Sequence, residues 1–240
     1  MIRIRSEIMP FVVASIVISA AVCGLLLLVP CFPSVAACWA ALVLLAVLCG
    51  YLCWFFRDPV RNPPADPDVI LAGADGVVAK IATFTPEQFG SITMLAGLKP
   101  DDTAAFRAGD VLRVSIFLSL FDVHVNRVPI SGKSRFLGYF PGKHLFTFEE
   151  KSSDVNQHNS ILIENERTCC LVNQIVGPVC RRVIYWLPHD RATDVKAGAD
   201  FGMMKFGSRM DMYFPAADID LLAREGDRVT AGETVIGRYR

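Results

Sequence analysis

Charge is missing from a long early stretch of this 240-residue chain, since no Asp, Glu, Lys or Arg occurs from Ile8 to Phe56. The stretch is too long for one membrane span, and the turn-like cluster Pro30–Ser34 divides it. Each half has about the 20 apolar residues that cross a hydrocarbon core. The sequence therefore predicts a helical transmembrane hairpin. A signal peptide, a single span and a re-entrant hairpin remain alternatives.

Net charge is missing as well, because 24 basic residues balance 24 acidic ones. This balance excludes a bulk field that attracts nucleic acid, and we expect no nucleic-acid partner. Arginines flank the apolar stretch at positions 3, 5, 57 and 61, and its central loop is uncharged. The positive-inside rule then places both ends in the cytoplasm. We predict a cell-membrane anchor over residues 1–56, with helices at about 8–29 and 35–56, and a cytoplasmic domain over 57–240.

Metal-ligand spacing is also lacking. The four histidines are too scattered for paired ligands, and the cysteines after residue 60 match no CxxC pattern. We therefore predict no metal site. A cytoplasmic setting argues against disulfides, so these cysteines are interpreted as structural. The residues concerned are His124, His144, His158, His189, Cys169, Cys170 and Cys180.

After residue 60 no long helical period occurs, and short β-rich runs separated by turn signals dominate. The fold class predicted is a mainly β soluble domain that follows the α-helical transmembrane hairpin. Short helices are predicted at Thr85–Phe89 and Ile219–Arg224. Strands are predicted at Val69–Ala72, Gly76–Ile81, Val111–Leu118, Ser160–Glu164, Cys169–Val176 and Val183–Trp186.

Two segments of the domain repeat each other, residues 195–202 and 229–237. Strand, tight turn and strand in this pattern are typical of lipoyl-type barrel-sandwich hybrids. The alternative is two unrelated hairpins with similar turns. No lysine occupies a carrier position at a hairpin tip, so the likeness concerns the fold and not a carrier function.

Three segments contain reactive residue types in unusual settings. They centre on Asp75, His124 and Ser208. Each is weak by itself: Asp-Gly is a common turn pair, one histidine at a strand end is often structural, and Gly207-Ser208 lacks the second glycine of a nucleophile elbow.

In this order, however, the segments resemble the phosphatidylserine decarboxylase family. The motifs that carry the resemblance are Phe56–Pro59, Ala74–Gly76, Phe121–His124 before a proline, and Phe206–Ser208 near the end. The length and the Phe-Gly-Ser-Arg form are similar to the short bacterial and archaeal branch.

The resemblance implies that the chain cuts itself between Gly207 and Ser208. The products, 1–207 and 208–240, stay associated, and Ser208 becomes a covalent pyruvoyl cofactor. A serine hydroxyl needs a base, and the resemblance assigns this role to His124. Asp75 is expected to face the second ring nitrogen, as in a Ser-His-Asp triad.

The resemblance further implies the reaction. Phosphatidylserine forms a Schiff base with the pyruvoyl group, loses CO2 and leaves as phosphatidylethanolamine. The expected partners are this lipid and the bilayer, and a homo-oligomer stays open. The longer branch has a second histidine where this chain has Arg127, which cannot act as a base. Arg127 is expected to contact a phosphate or carboxylate, with a surface or turn arginine as the alternative.

Two other functions stay open at this point. A membrane-anchored barrel-sandwich scaffold or adaptor has the same anchor and hairpins but no catalysis. A pyruvoyl enzyme acting on a soluble amino acid has the same chemistry but needs no anchor.

Overall fold

A computed structural model describes residues 2–27, 34–92, 98–178, 183–205 and 208–240. By their internal contacts, the residues form two compact units, Met1–Val60 and Arg61–Arg240. The predicted anchor, 1–56, falls within the first unit. The predicted connecting cluster Pro30–Ser34 lies outside the described residues, except for its last position.

The first unit is a pair of apolar helices that pack against each other. Just outside them, two short strands pair antiparallel, with Arg3 opposite Asp58. An ion pair of 2.7 Å between Arg5 and Asp58 holds the same junction. The two ends of the helix pair therefore meet, as a hairpin requires. The elements are β1 (Ile2–Ile4), a 3-10 helix (Ser6–Ile8), α1 (Met9–Leu27), α2 (Ser34–Phe55) and β2 (Arg57–Pro59).

Among the described residues, one helical segment, Ser6–Leu25, is long and apolar enough to cross a membrane, with a mean hydropathy of 2.4. A shorter apolar helical segment covers Trp39–Phe55. These findings support membrane association of the N-terminal region.

The second unit is mainly β, which confirms the coarse fold class. Its short helices are α3 (Pro86–Gly90), α4 (Ser152–Val155) and two 3-10 helices, Pro100–Arg107 and Ala216–Asp218. Its strands are β3 (Val69–Leu71), β4 (Gly76–Phe84), β5 (Val111–Leu118), β6 (Val125–Arg127), β7 (Gly132–Phe140), β8 (His158–Glu164), β9 (Cys169–Val176), β10 (Val183–Tyr185), β11 (Thr193–Val195), β12 (Asp200–Met204), β13 (Ser208–Pro215), β14 (Ile219–Leu221), β15 (Arg228–Val229) and β16 (Val235–Tyr239).

An eight-stranded antiparallel sheet organises this unit, in the order β11-β7-β8-β9-β13-β5-β4-β15. Two three-stranded sheets, β10-β12-β6 and β14-β16-β3, accompany it. Side chains point alternately to the two faces of the main sheet, and each face is covered by a buried hydrophobic cluster. Met210 and Met212 pack in the larger core, whereas Tyr213 and Leu171 pack in a second cluster on the other face.

The two repeating segments meet in the fold. Gly198 and Gly232 both have positive φ, 82° and 74°, and a Cβ on Gly232 would lie 3.2 Å from the Cα of Gly198. The Gly198 N–H donates to the carbonyl of Val128 and the Gly232 N–H to that of Ala72, at 2.8 and 2.9 Å. Equivalent turns of the repeat thus pack back to back.

The two predicted helices have opposite outcomes. The first is confirmed as α3, whose start is capped by reciprocal hydrogen bonds between Thr85 and Gln88. The second, Ile219–Arg224, is wrong: Ile219–Leu221 is strand β14, paired with β16. The physical reason is its period of two, since Ile219 and Leu221 pack on the core and Asp220 points to solvent.

Candidate active site

Ser208 begins β13, the strand at the middle of the main sheet. It pairs with Leu118 at the end of β5 and with Val176 at the end of β9. The residue is completely buried, and its hydroxyl has no hydrogen-bond partner among the described residues. Gly207, the other half of the predicted cleavage site, lies outside the described residues. The hydroxyls of Ser115 and Ser153 are also buried without a partner among the described residues, so Ser208 is a functional candidate because it also lies at the predicted cleavage site.

His124 lies on the loop that joins β5 to β6 and is also completely buried. Its Nδ1 is 2.9 Å from the backbone carbonyl oxygen of Asp122. Because that oxygen can only accept, Nδ1 carries the hydrogen, and Nε2 of a neutral ring carries the lone pair. The His124 carbonyl accepts from the N–H of Met204, four residues before Ser208. The loop of the predicted base therefore lies against the segment that leads into the predicted cleavage site.

The conformation of this loop is set by Asp122, a buried residue of the Phe121–His124 motif to which the sequence analysis assigned no role of its own. Its carboxylate accepts from the Ser119 N–H at 2.8 Å and the Ser119 hydroxyl at 2.6 Å. The Arg228 guanidinium donates to the other oxygen at 2.6 Å. The Ser-x-x-Asp spacing was the sequence signal, since such short polar side chains close local turns.

Asp75 lies in the loop between β3 and β4, and its carboxylate is already engaged. Arg61 donates to both oxygens at 2.8–2.9 Å, and the Ala231 N–H donates to Oδ1 at 2.8 Å. Burial raises the pKa of Asp75 above its ordinary value, with Asp122 adding to this rise, and the Ala231 N–H and Arg61 counteract it. The expected contact between Asp75 and the second ring nitrogen of His124 is wrong in this structure, because Nδ1 binds a backbone carbonyl.

Arg127 lies on β6 and is nearly buried. Its Nη1 is 3.4 Å from the carbonyl oxygen of Gly198, and its backbone N–H donates to the Gly73 carbonyl at 2.9 Å. A Cβ on Gly73 would lie 2.6 Å from the sulfur of Met210, two residues after Ser208. The loops that carry Asp75 and Arg127 and the strand that carries Ser208 therefore pack together.

The opposite face of β13 contains buried charge that the sequence reading missed. Arg209 and Asp211 are 1% and 0% exposed and form an ion pair, Nε to Oδ1, of 3.0 Å. Arg113, opposite Tyr213 on β5, pairs with Glu150 at 3.0 Å. Burial raises the pKa of Tyr213, which stays neutral. These groups hold β13 in place from the side that faces away from Ser208.

A surface groove of about 840 Å³ lies elsewhere, at the other end of β8 and β9. Gly132, Glu164 and Arg167 are among its lining residues. Since Ser208 pairs with the far end of β9, this groove is separate from the candidate site.

Fold and site together define a mainly β protein with a buried serine and an oriented histidine on adjoining segments. The family model described as phosphatidylserine decarboxylase matches residues 49–237. Three relatives named phosphatidylserine decarboxylase proenzyme are also similar. The protein of Chlorobium chlorochromatii is 38% identical over 94% of this chain and 97% of the relative. Those of Chlorobium phaeobacteroides and Carboxydothermus hydrogenoformans are 41% and 37% identical, over 78% and 84% of this chain and 78% and 85% of each relative. The chain belongs to the phosphatidylserine decarboxylase family.

Proposed function

We propose that the chain converts phosphatidylserine to phosphatidylethanolamine and CO2 with a pyruvoyl group that it makes from Ser208. The observation that carries this proposal is the buried hydroxyl of Ser208 at the start of β13, next to the segment bound by the His124 loop. Family membership supplies the reaction and the substrate class.

In the proposed maturation, the Ser208 hydroxyl attacks the carbonyl carbon of Gly207 while Nε2 of His124 takes the hydroxyl proton. The Gly207–Ser208 amide becomes an ester as His124 passes this proton to the departing nitrogen, and the freed amine stays on Ser208. Removal of the Cα proton then expels the Gly207 carboxylate and leaves a dehydroalanine at position 208. Its imine tautomer reacts with water and releases ammonia, which leaves the ketone. The steps use only the Gly207–Ser208 peptide, a base and one water molecule.

The residues around position 208 fit a pyruvoyl group. Complete burial keeps bulk water away, and the neighbouring loop provides an imidazole whose tautomer is fixed. When formed, the group supplies an electrophilic carbonyl that acts as an electron sink for decarboxylation. His124 is the proposed proton carrier. Arg127 is the proposed contact for the anionic head group of the substrate.

Asp75 is proposed to act through space on His124. The loop that carries Asp75 contacts the strand that follows His124, because the Gly73 carbonyl accepts from the Arg127 N–H at 2.9 Å. A negative charge at this position favours the imidazolium that forms when His124 takes a proton.

The two products of cleavage are proposed to stay together because strand pairing crosses the cut. The fragment 208–240 contributes β13, which lies between β5 and β9 of the longer fragment. It also contributes β15 and β16, which pair with β4 and β3.

The same proposal includes a barrel-sandwich fold for the repeats and a cytoplasmic location for the domain. The back-to-back turns at Gly198 and Gly232 support a barrel-sandwich arrangement of the two repeats. Strands β1 and β2, at the two ends of the apolar hairpin, pair with each other, which supports an anchor with both ends on one side of the membrane. We propose that this is the cytoplasmic side of the cell membrane. Protease protection of sealed vesicles tests this orientation.

Mass measurement under denaturing conditions tests the proposal directly. The uncut chain has a mass of 26.4 kDa. We expect fragments 1–207 and 208–240, the latter without a free amine, and turnover of phosphatidylserine. Ser208→Ala is expected to stay uncut and inactive. An active preparation made only of the uncut chain contradicts the proposal and favours a different site, and a stable uncut chain without activity favours a scaffold.

A further inference from the structure

Two loops of the second unit lie at the end of the main sheet where Ser208 begins β13. The first, residues 119–124, directly follows Leu118, the strand partner of Ser208. The second, residues 141–157, is tied to the same place because the Asn156 side chain donates to the carbonyl of Val176, the other partner of Ser208, at 2.9 Å. Both loops therefore border the candidate site.

Exposed apolar side chains concentrate at this end. In the described part of 61–240, six large hydrophobic side chains are exposed, and only Leu222 lies elsewhere. The other five form what we call the apolar rim. They are Leu120 (43% exposed), Phe121 (69%), Tyr139 (51%), Phe146 (53%) and Phe148 (65%). Such a concentration beside a binding site marks an interaction surface.

The second loop presents its aromatic residues in a fixed arrangement. The rings of Phe146 and Phe148 stack at 5.3 Å with an angle of 18°. Asn156 holds the base of the loop, since it accepts from the Leu145 N–H at 2.9 Å and donates to the Leu145 carbonyl at 2.8 Å. The His144 ring is 3.1 Å from Gln157. The loop thus keeps two phenylalanines, 53% and 65% exposed, in a fixed arrangement at the surface.

We propose that the apolar rim docks on the surface of a phospholipid bilayer and brings its lipids to the buried residue 208. This inference rests on the proposed function, in which the substrate is a lipid whose acyl chains stay in the bilayer. Aromatic side chains are stable at the interface of head groups and acyl chains. Exposed Lys143 and Lys151 flank the phenylalanine pair, but exposed Glu149 and Glu150 offset their charge, so charge gives no clear attraction to anionic lipids. The apolar side chains therefore carry the proposal.

The test compares one enzyme on two forms of substrate. The full chain, matured and reconstituted in phosphatidylcholine vesicles, receives either long-chain phosphatidylserine in the bilayer or dihexanoyl phosphatidylserine as a soluble monomer. Phe146→Ser with Phe148→Ser is expected to lower turnover of the bilayer substrate about tenfold or more, and turnover of the monomer less than twofold. Leu222→Ser, at the same 53% exposure as Phe146, is the matched control and changes neither. Mass measurement of each variant checks that maturation is complete.

A second readout does not depend on activity. In the uncut Ser208→Ala chain, Phe148→Trp or Leu222→Trp adds one tryptophan to the three present. Brominated phospholipids are expected to quench the emission added at position 148 and not that added at 222. Absence of this difference overturns the docking proposal, as does an equal loss on both substrates by the double variant. If the parent turns over neither substrate, the proposed function fails, and the quenching result alone still decides whether the rim docks.

Discussion

Nδ1 of His124 lies 2.9 Å from the backbone carbonyl oxygen of Asp122, two residues earlier on the same buried loop. A backbone carbonyl does not change its protonation, and substitution of the Asp122 side chain does not remove it. It fixes the ring tautomer more permanently than a carboxylate does, and it leaves Nε2 as the basic atom. The orienting group that a triad assigns to an aspartate side chain is thus supplied by the main chain.

Replacement of this imidazole is expected to stop maturation. His124→Ala removes the proposed base, and general-base catalysis contributes about 10²–10⁴-fold to a rate. The matched control is His158→Ala. His158 is also buried, and its Nδ1 also faces a backbone carbonyl, that of Asn156, at 3.0 Å. Time courses of fragment formation should show cutting by His158→Ala and not by His124→Ala; equal rates for the two variants rule out His124 as the base.

Substitution of each member of the Asp75–Arg61 ion pair can distinguish an electrostatic role of Asp75 in cutting from a purely structural one. Loss of the negative charge in Asp75→Asn disfavours the imidazolium, so cutting should slow about tenfold, which corresponds to about 1.4 kcal/mol. Loss of the positive charge in Arg61→Gln should leave the rate unchanged or raise it. Both variants break the same contact. A similar slowing in both indicates that the pair only maintains the fold.

The stability contributed by Asp75 should depend on pH with a definite sign. Burial raises its folded-state pKa, so its contribution is complete below the unfolded pKa of about 3.9 and is lost as the pH rises through the folded value. In the uncut Ser208→Ala chain, the parent should therefore lose stability relative to Asp75→Asn between acidic and neutral pH. Denaturant unfolding at a series of pH values measures this difference.

Asp66 provides the control for that series. Hydrogen bonds from the Asp68 N–H and Arg238 lower the pKa of this exposed carboxylate. Its contribution is present above the unfolded pKa and is lost as the pH falls through the folded value. The parent should therefore gain stability relative to Asp66→Asn as the pH rises. The same sign for both variants contradicts the assignment for Asp75.

Gly76, next to Asp75, cannot accept a side chain. Its φ is +145°, and a Cβ would lie 2.0 Å from the carbonyl oxygen of Phe117 on β5. Gly76→Ala should cost about 3 kcal/mol or more of unfolding free energy, since backbone strain of about 1–3 kcal/mol adds to the clash. Gly226→Ala is the control, with a φ of +92° and open space around it, and should cost only about 1–2 kcal/mol. Denaturant unfolding of Gly76→Ala and Gly226→Ala, each in the Ser208→Ala chain, measures the two losses of unfolding free energy. Equal losses mean that β4 and β5 can move apart enough to accept the added methyl group.

Several strands were predictable because their pattern is local. Runs of β-branched and apolar residues predicted β5 and β9 with the bounds that the structure has. Strand β13, which carries Ser208, was missed. Its charged residues Arg209 and Asp211 are typical of a surface loop, and their burial depends on a mutual ion pair and on Arg113 from another strand. No pattern within 208–215 shows that such partners exist.

The apolar helix pair, the mainly β domain, the three motifs and, through them, the family could all be predicted from sequence. These features follow from composition, from periodicity over a few residues and from short spacings, all of which are local. Three features became visible only in the folded chain: Ser208 lies between β5 and β9, a main-chain carbonyl orients His124, and Arg61 and Ala231 bind Asp75. Each of these depends on pairing between residues far apart in the chain, which the sheet order sets and no local pattern encodes.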